Sequence, residues 1–180
     1  ETLANARAAR DWLVAASDEA AVARHFVAVS ANIQAASDFG IEASNIFPLW
    51  DWVGGRFSLW SAIGLPIALG VGFAAFEELL GGAYAMDRHF ETAPLGENLP
   101  VVSALLAFWY RQYGASPSTA VVPYSQDLSL FPAYLQQLYM ESLGKSMSRE
   151  GAALPFKTSE IIWGSAGTNG QHSYFQQLHQ

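Results

Sequence analysis

The chain of 180 residues contains no cysteine and only nine lysine and arginine residues. The absence of thiols excludes disulfide bonds and thiolate chemistry, and it fits a reducing compartment. Acidic residues outnumber basic ones and give a formal net charge of −7. Because nucleic-acid binding depends on clustered Lys and Arg, this balance argues against a nucleic-acid partner. Any phosphate site on this protein must therefore be local.

The N-terminal stretch lacks the pattern of a signal peptide. ETLANARAARDWL is typical of an amphipathic helix, whereas a signal peptide needs a basic start followed by an apolar run. Together with the absence of cysteine, this pattern predicts a cytoplasmic protein.

One stretch is long enough to span a bilayer. Residues 57–76, FSLWSAIGLPIALGVGFAAF, contain no charged side chain, and about 20 such residues can cross a membrane. Pro66 and three glycines interrupt the run, and no basic loop flanks it. We therefore expect a long helix buried inside an α/β domain and no membrane partner.

Helical and extended patterns alternate along the chain. Helices are predicted over 3–17, 18–25, 31–40, 57–76, 76–94, 99–114 and 132–143. Strands are predicted over 25–30, 45–50, 118–125 and 160–167. Strands separated by helices are typical of a parallel sheet with helices on both faces, a three-layer α/β/α sandwich.

The carboxyl ends of parallel strands are where ligands gather, and three polar loops follow predicted strands. In the first, WVGGRFS, Gly54 and Gly55 allow close approach of a ligand, and Arg56 stands at the start of the predicted long helix. A guanidinium among apolar residues needs an anion. The residues leave open whether that anion is a ligand or a buried carboxylate such as Asp51.

The second polar segment is FPAYLQQLYMESLGK. Pro132 and Gly144 mark the two ends of a helix on which Gln137 and Glu141 share one face. The helix end and the apolar neighbours both disfavour a charged carboxylate at Glu141, which suits a general base. On spacing alone, a solvated glutamate at an exposed helix end is the simpler interpretation.

The third polar segment, WGSAGTNGQHSYFQQLHQ, begins with glycines that predict a flexible loop. Thr168 or Asn169 would cap the following helix and place His172 in its first turn, where the helix dipole favours a neutral imidazole. A surface histidine is the alternative. His172 and His179 would lie about 10 Å apart along a helix, too far for one metal ion. No dinucleotide fingerprint or P-loop occurs, so neither metal nor cofactor is expected.

Together, these stretches resemble the glucose-6-phosphate isomerase family. DWVGGRFSLWSAIG is similar to a first signature of that family, FPAYLQQLYMESLGK to the block with its catalytic glutamate, and IIWGSAGTNGQHSYFQQLHQ to the block with its catalytic histidine. The similarity continues through HFVAVS, MDRHF and VVPYSQDL.

The resemblance implies an aldose–ketose isomerase that interconverts glucose 6-phosphate and fructose 6-phosphate in glycolysis and gluconeogenesis. The reaction would pass through ring opening and an enediol or enediolate, without a metal or cofactor. By match to the family motifs, Glu141 would move a proton between C2 and C1, and His172 would help to open the ring. Gln137 and Gly55 would contact the substrate, and Arg56 would stabilise the enediolate.

The resemblance also implies an incomplete portion of that enzyme. Residues 1–72 would be the C-terminal part of a first sugar-isomerase domain, and residues 73–180 the beginning of a second. The family's phosphate-binding loop and one lysine would lie outside these 180 residues, so the isolated chain is expected to be inactive. A homodimer with shared active sites is also implied.

Three positions depart from the family's usual motifs. Ser165 stands where a glutamate is usual, Leu143 where an asparagine is usual, and Ser125 where an aspartate is usual. None of them removes a residue assigned above.

An alternative function is a non-catalytic module that binds sugar phosphates for regulation. Such a module would not need Arg56, Glu141 and His172 together, and their joint presence favours the enzyme.

Overall fold

A computed structural model describes residues 2–114 and 116–179. The chain forms two compact units, Glu1–Leu80 and Gly81–Gln180. The domain boundary predicted between residues 72 and 73 lies earlier in the chain than this division, and it stays a prediction.

The first unit is mainly helical and contains one pair of short strands. Its elements are α1 (Thr2–Ala16), α2 (Ala20–His25), β1 (Ala28–Ser30), α3 (Ile33–Asp38), β2 (Ile46–Pro48), α4 (Leu65–Val71) and the start of α5 (Phe73–Thr92). β1 and β2 pair in parallel, with Ala28 opposite Ile46. The parallel pairing agrees with the alternation in the sequence, although each strand is shorter than predicted.

The second unit contains the rest of α5 and a second parallel pair. Its other elements are α6 (Leu99–Gln112), β3 (Ser118–Ala120), α7 (Phe131–Leu135), a π-helical segment (Gln136–Glu141), β4 (Ile161–Trp163) and α8 (Gly167–Leu178). Ser118 of β3 lies opposite Ile161 of β4. The fold is therefore a helix-rich α/β arrangement with small parallel sheets, and the complete three-layer sandwich stays a prediction.

The core of the first unit lies around α2, α3 and the turn that follows α3. Ala21, Val22, Ala36 and Ile41 are buried there. Gly40 has a positive φ of 103°, and a side chain at this position would contact Val22. The turn after α3 therefore needs glycine for its backbone conformation, whereas an added Cβ would make only an ordinary van der Waals contact with Val22.

The long helix predicted over 57–76 is wrong. Two 3₁₀ turns, Gly55–Phe57 and Ala62–Gly64, precede the short helix α4, and Gly72 at its end has a φ of 87°. Pro66 lies in the first turn of α4, where a proline is tolerated. Its ring would clash with a preceding helical turn, so a longer helix cannot run through this position. Within the ranges that the structure describes, no helix is long and apolar enough to cross a membrane.

A buried asparagine joins two helices of the second unit. Asn98 is only 2% exposed, and its Oδ1 accepts a hydrogen bond from the Val101 amide in the first turn of α6 at 3.2 Å. Its Nδ2 donates to the carbonyl of Phe90 in α5 at 2.8 Å. One side chain therefore caps α6 and fixes the end of α5 against it.

Replacing this cap should cost more stability than replacing an exposed one. Asn98→Ala would leave buried polar groups unpaired and should lower the free energy of unfolding by about 2 kcal/mol. The control is Asn32→Ala at the exposed cap of α3, where one bond to the Ala35 amide is lost and about 1 kcal/mol is expected. Equal losses in urea unfolding would contradict the linking role of Asn98.

Candidate active site

Arg56 lies in a tight turn of the first unit. It is the central residue of the 3₁₀ turn Gly55–Phe57 and is half-buried, and its Cζ lies 5.6 Å from the centre of the Phe57 ring. The carbonyl of Gly55 accepts hydrogen bonds from the Ser58 hydroxyl at 2.6 Å and the Ser58 amide at 3.2 Å. Because Ser58 is buried, these bonds hold the turn that carries the guanidinium.

The two glycines before Arg56 differ in their surroundings. A side chain at Gly55 would meet no atom within 4 Å, whereas one at Gly54 would contact the Phe57 ring. The open side of Gly55 is compatible with its predicted contact with a ligand, since none of the described residues fills the space beside it.

An aromatic recess lies beside this turn in the same unit. Trp50 and Trp52 stack with their ring centres 5.6 Å apart and an interplanar angle of 14°. With Phe57 and Trp60 they line a cavity of about 380 Å³. All four rings are more than 40% exposed, so the first unit presents an apolar surface next to Arg56.

Gln137 and Glu141 lie on the π-helical segment that continues α7. Helical structure runs over 131–143, so the helix predicted from Pro132 and Gly144 is confirmed in extent, although residues 136–141 have wider turns than an α-helix. π-helical turns are frequent at functional sites because they change the direction in which side chains project. Both Gln137 and Glu141 are exposed.

Two contacts fix the end of the π-helical segment. Lys145 donates a hydrogen bond from Nζ to the main-chain carbonyl of Glu141 at 2.8 Å. The Ile162 amide in β4 donates to Sδ of Met140 at 3.3 Å. The Glu141 main chain therefore lies between a capped helix end and strand β4. A basic residue just beyond the helix was the sequence signal for the cap.

The apolar residues predicted to surround Glu141 are themselves partly exposed. Tyr134 is 43% exposed and Met140 is 38% exposed, and Glu141 is also exposed. The apolar character predicted for this site stays a prediction.

The glycines around His172 permit close packing, and the flexible loop predicted there is wrong. Gly164 has a φ of 144°, and a side chain at this position would overlap the carbonyl oxygen of Val121. At Gly167 a Cβ would lie 2.6 Å from the Tyr124 ring, and at Gly170 it would collide with the Tyr174 hydroxyl. Gly167 and Gly170 are both buried in α8.

His172 lies in the second turn of α8, so its predicted place in the first turn is wrong. The helix begins at Gly167, and its cap position, Ala166, offers no side-chain bond. The Gly167 amide instead donates to the Pro123 carbonyl at 2.7 Å. Thr168 and Asn169 consequently lie within the helix, and His172 projects from it as an exposed side chain.

Sequence reasoning missed the side chains that hold α8. Nε2 of Gln171 donates to the Tyr124 hydroxyl at 2.9 Å. The hydroxyls of Ser165 and Tyr174 lie 3.1 Å apart, within hydrogen-bond distance, and the Tyr174 ring packs edge-on against Trp163 at 4.8 Å. In the sequence, the role of Gln171 was indicated only by its position directly before His172.

The predicted site residues are divided between the two units. Arg56 and Gly55 belong to the first, whereas Gln137, Glu141 and His172 belong to the second. In the second unit the π-helical segment packs against β4, and α8 follows directly after β4. Among residues 2–114 and 116–179, no group of three or more histidine, aspartate and glutamate side chains could hold a metal ion.

The second unit carries an exposed glutamate, Glu141, on the π-helical segment and an exposed histidine, His172, on α8. The family model for phosphoglucose isomerase matches residues 1–180. The chain therefore belongs to the phosphoglucose isomerase family.

Individual relatives agree with this assignment. The chain is 58% identical to a glucose-6-phosphate isomerase of Hahella chejuensis over 181 aligned residues and 56% identical to one of Cupriavidus taiwanensis. All of the chain is covered in both cases, but only 32% and 33% of the relatives' length. The chain thus spans about a third of the curated relatives that it matches.

A solved structure has the same fold. The crystal structure of a glucose-6-phosphate isomerase from Chlamydia trachomatis matches 99% of this chain with a TM-score of 0.83 and 46% sequence identity, covering 34% of that protein's chain. A hypothetical protein from Thermus thermophilus matches with a TM-score of 0.79 and 32% identity.

A side chain should be tolerated far less well at Gly164 than at another glycine with a positive φ. Gly164→Ala should lower the free energy of unfolding by more than about 3 kcal/mol, because strained backbone and overlap with Val121 add together. Gly151→Ala is the control, since Gly151 has a φ of 80° but no atom within 4 Å of an added Cβ, and it should cost about 1 kcal/mol. Similar losses in thermal or urea unfolding would contradict the packing described here.

Proposed function

We propose that this chain is the central portion of an aldose–ketose isomerase that interconverts glucose 6-phosphate and fructose 6-phosphate. The observation that carries the proposal is the match of the entire chain to the phosphoglucose isomerase family, including 56–58% identity to relatives named glucose-6-phosphate isomerase. The positions of Arg56, Glu141 and His172 add to it, since hydrogen bonds hold the turn, the helix end and the helix that carry them, as suits fixed catalytic groups.

The reaction begins on the closed sugar. His172 passes a proton to the ring oxygen as the bond between that oxygen and the anomeric carbon breaks, and the anomeric hydroxyl gives its proton to a water molecule as the carbonyl forms. The product is the open-chain aldose or ketose. An exposed imidazole suits this step because histidine can exchange protons near neutral pH.

Glu141 then moves a proton between two neighbouring carbons. Starting from the open-chain aldose, its carboxylate removes the proton from C2, and the electron pair of that C–H bond forms the C1–C2 double bond of an enediolate. Return of the proton to C1 and a proton shift between the two oxygens give the ketose. The capped end of the π-helical segment supports this role, because Lys145 holds the Glu141 main chain.

Arg56 stabilises the negative charge that develops on the enediolate. A guanidinium aimed at charge that appears only during the reaction lowers the barrier more than it tightens substrate binding. The support for this role is the turn that places Arg56, which the buried Ser58 holds through the Gly55 carbonyl. Gln137, one helical turn before Glu141, and the open backbone of Gly55 would contact the substrate.

The same proposal extends to the domains and the oligomeric state of the whole enzyme. Residues 1–72 and 73–180 would belong to two sugar-isomerase domains, each a parallel sheet between two layers of helices. The enzyme would be a cytoplasmic homodimer with shared active sites. Large exposed apolar side chains such as Leu105, Leu106 and Trp109 on α6 support further packing partners for this segment.

The role of Glu141 can be tested by removing its charge. In a full-length enzyme that carries this segment, Glu141→Gln keeps the shape but removes the base, so turnover should fall by about 100-fold or more, with substrate binding nearly unchanged. Solvent exchange of the C2 proton in deuterated water reports the step directly. Glu78→Gln, at an exposed helical glutamate in α5, should have wild-type rates. Normal C2 exchange in Glu141→Gln would refute the assignment of Glu141 as the base, whereas absence of C2 exchange in the wild-type enzyme would favour a non-catalytic sugar-phosphate module.

The role of Arg56 can be separated from ground-state binding. Arg56→Lys keeps the positive charge but loses the planar fork, so kcat should fall by more than KM rises. Arg149→Lys, at an exposed arginine, serves as the matched control. A rise in KM alone, with kcat intact, would assign Arg56 to binding of the substrate before reaction.

A further inference from the structure

We propose that Tyr124 is a positioning residue for His172 and acts through Gln171. This inference rests on the proposed function, in which His172 transfers a proton when the sugar ring opens. Tyr124 follows β3 and Gln171 lies in α8, so the contact joins two elements that are 47 residues apart in the sequence.

The backbones of the two strand ends are locked together before this contact is made. The Val121 amide donates to the Trp163 carbonyl at 2.8 Å, and the Gly167 amide donates to the Pro123 carbonyl at 2.7 Å. Gly164 packs against the Val121 carbonyl so closely that no side chain fits between them. The segment carrying Tyr124 and the start of α8 therefore form one rigid corner.

The Tyr124 ring lies directly on the first residue of α8. Gly167 is buried, and a Cβ there would lie 2.6 Å from the ring. The ring thus sets the distance between the strand end and the helix, while its hydroxyl reaches the Gln171 amide one turn further along. Because Tyr124 is 67% exposed, its hydroxyl is not needed to satisfy a buried core.

Two anchors on one face fix the rotation of α8 about its axis. Gln171 is held by Tyr124, and Tyr174, three residues later, is held by the Ser165 hydroxyl and the Trp163 ring. Residues three apart lie on the same side of a helix. His172 directly follows Gln171, so fixing this face fixes the direction in which the imidazole projects.

A structural role and a positioning role make different predictions. If Tyr124 only stabilised the fold, losing its hydroxyl would affect every substrate in proportion to the folded enzyme that remains. If it orients His172, the loss should appear in the step that uses His172, which is ring opening. Proton transfer by Glu141 on a substrate that is already open should be unaffected.

The test is Tyr124→Phe in a full-length enzyme that carries this segment. Phenylalanine keeps the ring that packs on Gly167 and removes only the acceptor for Gln171. With fructose 6-phosphate, kcat should fall by about tenfold, because a small misplacement of a catalytic group slows the chemical step. KM should stay within about twofold of the wild-type value, because the residues that bind the substrate are unchanged. With 5-deoxyfructose 6-phosphate, which has no 5-hydroxyl to close a furanose ring, solvent exchange at C1 should remain at the wild-type rate.

Three further variants complete the experiment. Gln171→Leu should reproduce the selective loss, and the double variant with Tyr124→Phe should be no slower than either single variant, since both remove one interaction. Tyr84→Phe, at a tyrosine that is 66% exposed on α5, should behave as wild type. Thermal unfolding of each variant measures the folded fraction, so that a loss from instability is recognised.

The outcomes separate this inference from the proposed function. Wild-type rates in Tyr124→Phe, or equal losses with the closed and the open substrate, would overturn the positioning role while leaving the isomerase proposal intact. His172→Ala is the reference for the function itself. If it converts fructose 6-phosphate normally, the ring-opening role of His172 is wrong, and the positioning inference is wrong with it.

Discussion

The contact between the backbones of Gly164 and Val121 is the constraint on which the second unit depends. Parallel pairing of β3 with β4 brings both strands to their carboxyl ends at the same edge. At that edge the chain leaves β4 with a φ of 144° at Gly164, a conformation that L-residues with a side chain rarely adopt. This sharp departure brings the following helix over residues 123–124. The direction of α8, and with it the place of His172, follows from this single corner.

The π-helical segment imposes a different kind of constraint on Glu141. In a regular α-helix each residue advances by a fixed rotation, so spacing predicts which side chains share a face. The wider turns over Gln136–Glu141 alter that rotation in the part of the helix that carries Gln137 and Glu141. The bond from Lys145 to the Glu141 carbonyl and the bond from Ile162 to Met140 then secure this irregular end. The position of the Glu141 main chain is therefore set by these contacts as well as by the helical repeat.

How far the sequence predicted these features depended on whether the cause was local. Pro132 and Gly144 mark a helix through their own backbone preferences, and the helix lies where they predicted. Apolar patterns separated by helices correctly predicted parallel strand pairs. The prediction of a long helix over 57–76 failed because it gave more weight to apolar composition than to the breaks at Pro66 and Gly72. Each of these outcomes concerns residues close together in the chain.

Features with distant causes escaped prediction. A glycine-rich sequence has the same composition whether its glycines give flexibility or permit tight packing, and only the presence of Val121 and Tyr124 distinguishes the two. The start of α8 was misplaced because its first amide bonds to the Pro123 carbonyl, not to a local cap at Thr168 or Asn169. The residues proposed for chemistry were identified by resemblance, whereas the residues that hold them became visible through contacts across the fold.

The residues that hold the site in place and the side chains proposed for chemistry differ in burial, and this difference bears on how such a site works. Gly167 and Gly170 are buried residues of α8, whereas Gln137, Glu141 and His172 are exposed. Groups that must meet a substrate need access, but catalysis by positioning also needs them held within a small range of geometries. Ser165 contributes to the second requirement, because its hydroxyl pairs with Tyr174 and so anchors α8 without placing a charge beside it. That anchor does not depend on ionisation, so it persists while His172 gains and loses a proton.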